Sequence, residues 1–342
     1  MKVIMMDNTD NEAARVEPSY QHPASSPIAV DPRSQAVLAV AMKAARSQAT
    51  VLITGETGVG KEVLAHYIHQ HSTFANGPFV TVNCAALPEN MIESILFGYE
   101  KGAFTNAISS YVGKFEQAQD GTLLLDEISE ISIGLQAKLL RALQEREVER
   151  LGGRKLIRVN VRVIAATNRQ LQKQVDLGLF RKDLYYRLNV MPIECPALRD
   201  RPQDIVPMAE HFMRLHAHAM GRTLPVFTPA AKSTLMTATW PGNIRELDNI
   251  IQRTLILSEK AILDSSDIAF CERPLSALSE VAANTNSHHF TSQLEATEAK
   301  LILDMLKETA GCRNDAARKL NISPRTLRYK ISKLRSIGIE VP

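Results

Sequence analysis

The stretch "TVLITGETGVGKEVLAHYIH", Thr50 to His69, decides the fold. A short apolar run, "TVLIT", reads as a buried strand, and "KEVLAHYIH" reads as the start of a helix. Between them lies "GETGVGKE": Gly55, Glu56, Thr57, Gly58, Val59, Gly60, Lys61 and Glu62. Strand, glycine-rich loop and helix in this order form the context that a phosphate-binding loop requires. The glycines let backbone N–H groups turn inward around phosphates. The helix N-terminus adds partial positive charge, and Lys61 extends toward the β and γ phosphates of ATP. Glu62 stands where the general pattern has Ser or Thr to hold Mg²⁺.

Three further segments repeat the strand signal: "FVTVNCAA" (Phe79–Ala86), "GTLLLDEI" (Gly121–Ile128) and "VRVIAATN" (Val161–Asn168). Short apolar runs separated by helical patterns predict a parallel sheet of the α/β class. "GTLLLDEI" delivers Asp126 and Glu127 to the end of a buried strand, where two acids are costly without a purpose. Solvated acids at a strand end do not account for the fully apolar run before them. Beside a phosphate loop, Asp126 is expected to ligate Mg²⁺, and Glu127 to orient and deprotonate the attacking water. Asn168 is expected to contact the γ-phosphate or that water.

The 342 residues are 45% apolar and 23% charged, as in a soluble globular protein of about two domains. No run of about 18 apolar residues occurs, so no membrane span is expected. Cys84, Cys195, Cys271 and Cys312 lie far apart and form no Cys-x-x-Cys pair, which argues against zinc or a disulfide framework and for the cytoplasm. The net charge is +3, yet Gly311–Pro342 holds eight Lys and Arg against Asp315 and Glu340. A basic end on a nearly neutral body suggests nucleic-acid binding. Residues 1–27, polar and marked by Pro18, Pro23 and Pro27, read as a mobile leader, 28–195 as the α/β unit and 196–270 as a helical lid. Residues 271–293 read as a linker, whose His288 and His289 have no companion ligands, and 294–342 as an all-helical unit. In that unit Leu301, Ile302, Met305 and Leu306 form one apolar stripe, and a last helix opens on Ser323 and Pro324.

One segment fits neither strand nor helix. "GYEKGAFTNA" (Gly98–Ala107) sets Phe104 and Thr105 among small residues, with Gly98 and Gly102 loosening the approach.

Taken in order, "GETGVGKE", "VNCAAL", "LFGYEKGAFTNA", "GTLLLDEI", "LQAKLLRALQEREVERLGG", "AATNR", "FRKDLYYRLNV" and "WPGNIREL" resemble the bacterial enhancer-binding proteins. These are AAA+ ATPases that activate sigma-54 RNA polymerase, and the resemblance runs from about Pro27 to Phe270. It accounts for Glu62, which the family carries after the Walker lysine. It implies that Asn83 is a switch residue pairing with Glu127, and that Thr167 and Asn168 form the first sensor. It further implies that Arg181 and Arg187 are fingers reaching a neighbour's ATP, and that Arg245 is a second sensor on the lid. A site completed in trans implies dimers assembling into a closed ring, a hexamer by the resemblance. The plainer reading of Arg181 and Arg187 is surface pairing with Asp183 or Glu194.

In this family the odd loop reads Gly-Ala-Phe-Thr-Gly-Ala and grips sigma-54. Gly102, Ala103, Phe104, Thr105, Asn106 and Ala107 match it except at Asn106, a residue that tolerates positive φ better than most. Some relatives with a degraded loop have lost sigma-54 contact, which keeps open a DNA-binding regulator that no longer engages it; a general AAA+ remodeller is the third reading. The C-terminal unit resembles a Fis-type helix-turn-helix, with Arg325, Thr326, Arg328, Tyr329 and Lys330 facing double-stranded DNA. "GKFEQAQDG" and "TLRYKISKLR" are most similar to the activators of flagellar genes. The leader is too short for a sensory domain, so activity is expected to be independent of phosphorylation of this chain.

Overall fold

The computed structural model describes residues 27–86, 88–105 and 107–268. Residues 1–26 of the leader, the linker, the helix-turn-helix with Arg325, Thr326, Arg328, Tyr329 and Lys330, and loop residue Asn106 lie outside the described residues.

Five parallel strands form the central sheet: β1 Val51–Thr54, β2 Phe79–Asn83, β3 Thr122–Asp126, β4 Arg162–Thr167 and β5 Met191–Glu194, in the order β2-β3-β4-β1-β5. The interior strands read as apolar runs because helices cover both faces: every residue of β4 and Thr122–Leu125 of β3 are buried. Helices α1 Pro32–Ala45, α2 Lys61–Gln70, α3 Glu89–Phe97, α4 Ile133–Glu145 and α5 Lys182–Leu188 surround the sheet. The helix α1 starts where Asp31 accepts the Arg33 N–H and Pro32 presets φ. Buried Arg162 bonds the carbonyls of Ala44 and Ala45 at 2.7 and 3.0 Å, satisfying the end of α1.

The fifth strand, β5, goes beyond the four that the sequence predicts. Its "MPIE" carries a proline and buries only Ile193. Pairing only with β1, it sits at the sheet edge, where a missing N–H is tolerated.

Three helices, α6 Pro202–Ala219, α7 Pro229–Thr237 and α8 Asn243–Leu257, form the lid around Trp240, Leu247, Ile250 and Ile251. Trp240 is fully enclosed and donates its indole N–H to Leu235 O at 2.9 Å, so the largest side chain of the lid leaves no polar atom unpaired. Among the described residues no helix is long and apolar enough to cross a membrane.

The parallel arrangement sends the carboxyl ends of β1, β3 and β4 to one edge, where open α/β sheets bind ligands. Gly55 N–H bonds Thr167 O at 3.3 Å, and Cys84 N–H bonds Asp126 O at 2.9 Å, so the loops leaving these strands are fastened to one another.

Candidate functional site

Lys61, first residue of α2, is 92% removed from solvent with its ammonium inside the loop. It donates to Gly55 O at 3.0 Å and Glu56 O at 3.3 Å, and lies 3.6 Å from Glu127 Oε1. Thus the loop Gly55, Glu56, Thr57, Gly58, Val59 and Gly60 curls around the cation that ends it. Glu62, beside Lys61 in the first turn of α2, is exposed to solvent.

Asp126 ends β3, and its carboxyl is raised above the usual Asp value, first by burial and then by Glu127, with Lys61 pulling the other way. Glu127 follows with φ 51° and ψ 48°, a left-handed backbone that a glutamate rarely adopts. That turn aims its carboxylate back across the strand ends, where Oε2 accepts the Asn168 N–H at 3.1 Å. Asn168 Nδ2 donates to Thr57 Oγ1 at 3.0 Å, while Thr167 is buried and donates to Ser129 Oγ at 3.1 Å. The structure therefore brings Lys61, Asp126, Glu127, Asn168 and Thr57 together. Asn83 is in register with Asp126 on the neighbouring strand, but its Oδ1 accepts the Ala85 N–H at 2.9 Å. The implied pair of Asn83 with Glu127 is not made: Glu127 spends its oxygens on Lys61 and the Asn168 N–H.

The lid touches the phosphate loop directly. Ile244 N–H donates to Gly58 O at 2.9 Å, and buried Arg201 donates to Val59 O at 2.8 Å. Asn243, fully buried at the head of α8, donates to Glu56 Oε2 at 3.0 Å and Thr57 O at 3.1 Å. Arg199 grips both oxygens of Glu56, and this pairing holds the Glu56 carboxyl down at about 2. Arg199, Arg201 and Asn243 escape sequence reasoning, because their partners lie more than a hundred residues away. Arg245 is exposed next to the loop, and its side chain forms no hydrogen bond or ion pair among the described residues.

Arg181 caps the N-terminus of α5, and Arg187 is exposed in its last turn. Arg181 makes a two-pronged pair with Asp183 at 2.7 and 3.0 Å, as the plainer sequence reading expected, and Arg187 donates to Leu143 O at 2.8 Å. Neither bonds any residue of the chain's own phosphate loop.

The unusual loop leaves the sheet on a hairpin, Gly98–Tyr99 paired with Tyr111–Val112. Phe104 is 43% exposed and meets Tyr99 edge-on at 4.9 Å; Tyr99 in turn stacks on Tyr111 at 5.5 Å. Thr105 is exposed. Arg150, from a second hairpin (Glu147–Glu149 with Leu156–Arg158), bonds Glu116 at 2.7 and 2.8 Å and Glu100 at 3.2 Å. Gly102 N–H bonds Ala107 O at 2.9 Å, and the Cα of Ala103 packs beside Gly152 of the second hairpin. The two hairpins thus share one base, a link that no local pattern in either segment announces.

Residues 28–194 match the sigma-54 interaction domain, 199–274 the AAA+ ATPase lid domain, and 293–334 the Fis family of bacterial regulatory proteins. The response regulator protein FleR of Pseudomonas aeruginosa is 47% identical over 337 residues, covering 92% of this chain and 71% of FleR. The chain belongs to the sigma-54-dependent activator family of AAA+ ATPases. FlbD, a transcriptional regulatory protein of Caulobacter vibrioides, is 45% identical over 91% of this chain and 71% of its own. Among solved structures, NtrX of Brucella abortus matches with TM-score 0.68 at 30% identity, over 92% of this chain and 69% of that one. NtrX solved in complex with ATP matches with TM-score 0.67, also at 30% identity, over 92% of this chain and 70% of that one. As a family member the chain is an ATP-binding ATPase and a sigma-54-dependent transcriptional activator with a Fis-type DNA-binding unit.

Proposed function

We propose that the chain binds upstream DNA, assembles from dimers into a ring, and spends ATP hydrolysis on remodelling the closed sigma-54 RNA polymerase complex in the cytoplasm. The observation that carries the ring is the position of Arg181 and Arg187. Arg181 at the head of α5 and Arg187 in its last turn bond Asp183 and Leu143 O, and that exposed position supports a role in stabilising transition-state charge on a neighbour's ATP.

The residues of the chain divide the work. The loop Gly55–Gly60 and the head of α2 hold the phosphates through backbone N–H groups, and Lys61 pairs with the β and γ phosphates. Asp126, whose carboxyl is raised by burial and by Glu127, presents a carboxylate at the strand end whose ionised form a divalent cation would favour. That fits Mg²⁺, which takes one or two carboxylates and completes its shell with phosphate and water. When bound, Mg²⁺ supplies charge neutralisation along the phosphates. Glu127 takes the proton of the attacking water on its carboxylate, and Asn168 holds that water and the γ-phosphate in line, with buried Thr167 bracing the sensor from behind through Ser129. Lys61 lies 3.6 Å from Glu127 Oε1. A triphosphate competes for Lys61, releases Glu127, and lets it turn to the water or to Asn83. Through Asn83 and β2 the change reaches α3 and the loop, where Phe104 and Thr105 meet sigma-54. Gly102, Ala103, Asn106 and Ala107 complete that loop, Arg245 senses nucleotide from the lid, and Arg325, Thr326, Arg328, Tyr329 and Lys330 read the DNA site.

Mixing two inactive variants tests the ring. Arg187→Ala keeps an intact site and Glu127→Gln keeps an intact finger, so a mixture is expected to recover ATPase that neither shows alone. No recovery at any mixing ratio would remove the shared site. Asn106 favours the second reading, a regulator that has given up sigma-54. Trapping with ADP and aluminium fluoride decides: a complex with sigma-54 supports the activator, and a complex that forms only after Asn106→Gly supports the second reading.

A further inference from the structure

Glu56 is out of place by charge. It sits in the loop proposed to hold a triphosphate, where a bare carboxylate repels the ligand. The structure supplies two partners for it, both from the boundary between sheet and lid. Arg199, on the turn Leu198–Asp200, closes a two-pronged guanidinium fork on the carboxylate, with Nη1 to Oε2 at 2.9 Å. Asn243 Nδ2 donates to the same Oε2 and to Thr57 O, while Asn243 Oδ1 accepts the Leu198 N–H at 2.8 Å. Asn243 is fully buried with φ 55°, a left-handed backbone that Asn adopts more readily than most residues. Two residues further along α8 comes Arg245, whose Cβ is 3.2 Å from where a Cβ on Gly58 would stand.

We propose that Arg199 is a positioning residue for ATP turnover: it neutralises Glu56 and thereby locks the tip of the phosphate loop to the head of the lid helix that carries Arg245. This rests on the phosphate loop holding ATP. Thr57 is then gripped from both sides, by Asn168 of the sheet through its hydroxyl and by Asn243 of the lid through its carbonyl. The low carboxyl value of Glu56 accords with a charge kept ionised and matched. Without Arg199 the carboxylate remains in the loop unmatched, so nucleotide binding suffers before the chemical step does.

The test is steady-state ATPase of the full chain, with direct titration of a fluorescent ATP analogue. Arg199→Ala is expected to raise KM for ATP roughly tenfold while kcat falls less than about threefold. Adding Glu56→Gln to Arg199→Ala is expected to bring KM back to within about threefold of the natural chain, because a neutral amide removes the repulsion and its oxygen still accepts from Asn243. Arg199→Lys, a point charge without the fork, is expected to fall between. If Arg199→Ala leaves KM unchanged, or if Glu56→Gln fails to rescue it, the proposal is overturned and Arg199 is a surface ion pair. Should Arg199→Ala not fold by circular dichroism, Arg199→Gln carries the same pair of measurements. Lys61→Ala runs beside them: normal nucleotide binding by that variant refutes the ATP site itself, whereas loss of binding there with an indifferent Arg199→Ala refutes only this inference.

Discussion

Gly58 and Gly102 are both left-handed, at φ 79° and 85°, and they sit in opposite surroundings. A Cβ on Gly58 would stand 2.5 Å from Gly242 O, because the lid helix presses on the phosphate loop. A Cβ on Gly102 would meet nothing within 4 Å. The phosphate loop is held from the sheet by Asn168, from within by Lys61, and from the lid by Arg201, Asn243 and Ile244. The loop proposed to meet sigma-54 is held at its base by Arg150, while Ile108 is 84% exposed and Phe104 leans on Tyr99 as its one ring partner among the described residues. Catalysis gains from donors fixed before the reaction begins, whereas a working contact must shift at low cost. Hence one glycine permits close approach, and the other permits only a turn.

The largest expected effect lies on the fixed side. Glu127→Gln should lower kcat by about 10² to 10⁴, the usual worth of a positioned base, while ATP affinity measured by titration stays within a few-fold. Retention of more than about a tenth of the activity would assign the base elsewhere. On the free side, Thr105→Ala should leave ATPase within about twofold and reduce the trapped sigma-54 complex at least about tenfold, as loss of one well-made polar contact does. Equal loss of both activities would mean that the loop is not separable from the site.

The two glycines sharpen the contrast. Gly58→Ala should cost about 2–4 kcal/mol, combining a left-handed alanine with overpacking against Gly242. Gly102→Ala should cost only about 1–2 kcal/mol, from the backbone alone. Thermal melting of the two variants reads the difference, and equal shifts would erase the distinction. The smallest effect concerns pH. The Glu56 carboxyl lies lower in the folded chain, at about 2, than in an unfolded one. Its contribution is therefore present above the ordinary carboxylate value and is lost as pH falls toward 2. Being half exposed, the pair is worth under about 1 kcal/mol. Melting temperatures of the natural chain and Glu56→Gln should differ slightly at pH 6 and converge on acidification; divergence would reverse the sign.

Four strands, the phosphate loop and the acid pair were legible because each is written in consecutive residues: an apolar run, three glycines, two carboxylates. The edge strand β5 was not, since Pro192 and the exposed Glu194 interrupt the pattern and only pairing with β1 defines it. The Asn83–Glu127 pair, implied by resemblance, depends on which partner each side chain holds, and here Ala85 and Lys61 hold them. Arg181 had two readings from its neighbours in sequence, and the pairing with Asp183 is the one present in the single chain.

By itself the sequence determined the α/β sheet with its helical lid, the phosphate loop, the acids at the strand end and the family, since all are short-range patterns in order along the chain. Only the tertiary structure decided how those parts are joined. Arg199 reaches Glu56, Arg201 reaches Val59 and Asn243 reaches Thr57 across 142 to 186 positions. Arg150 joins two hairpins whose own residues make no mention of each other. A charged side chain on a turn reads the same in sequence whether it faces water or a carboxylate; folding alone sets the distance, and electrostatic attraction depends on that distance.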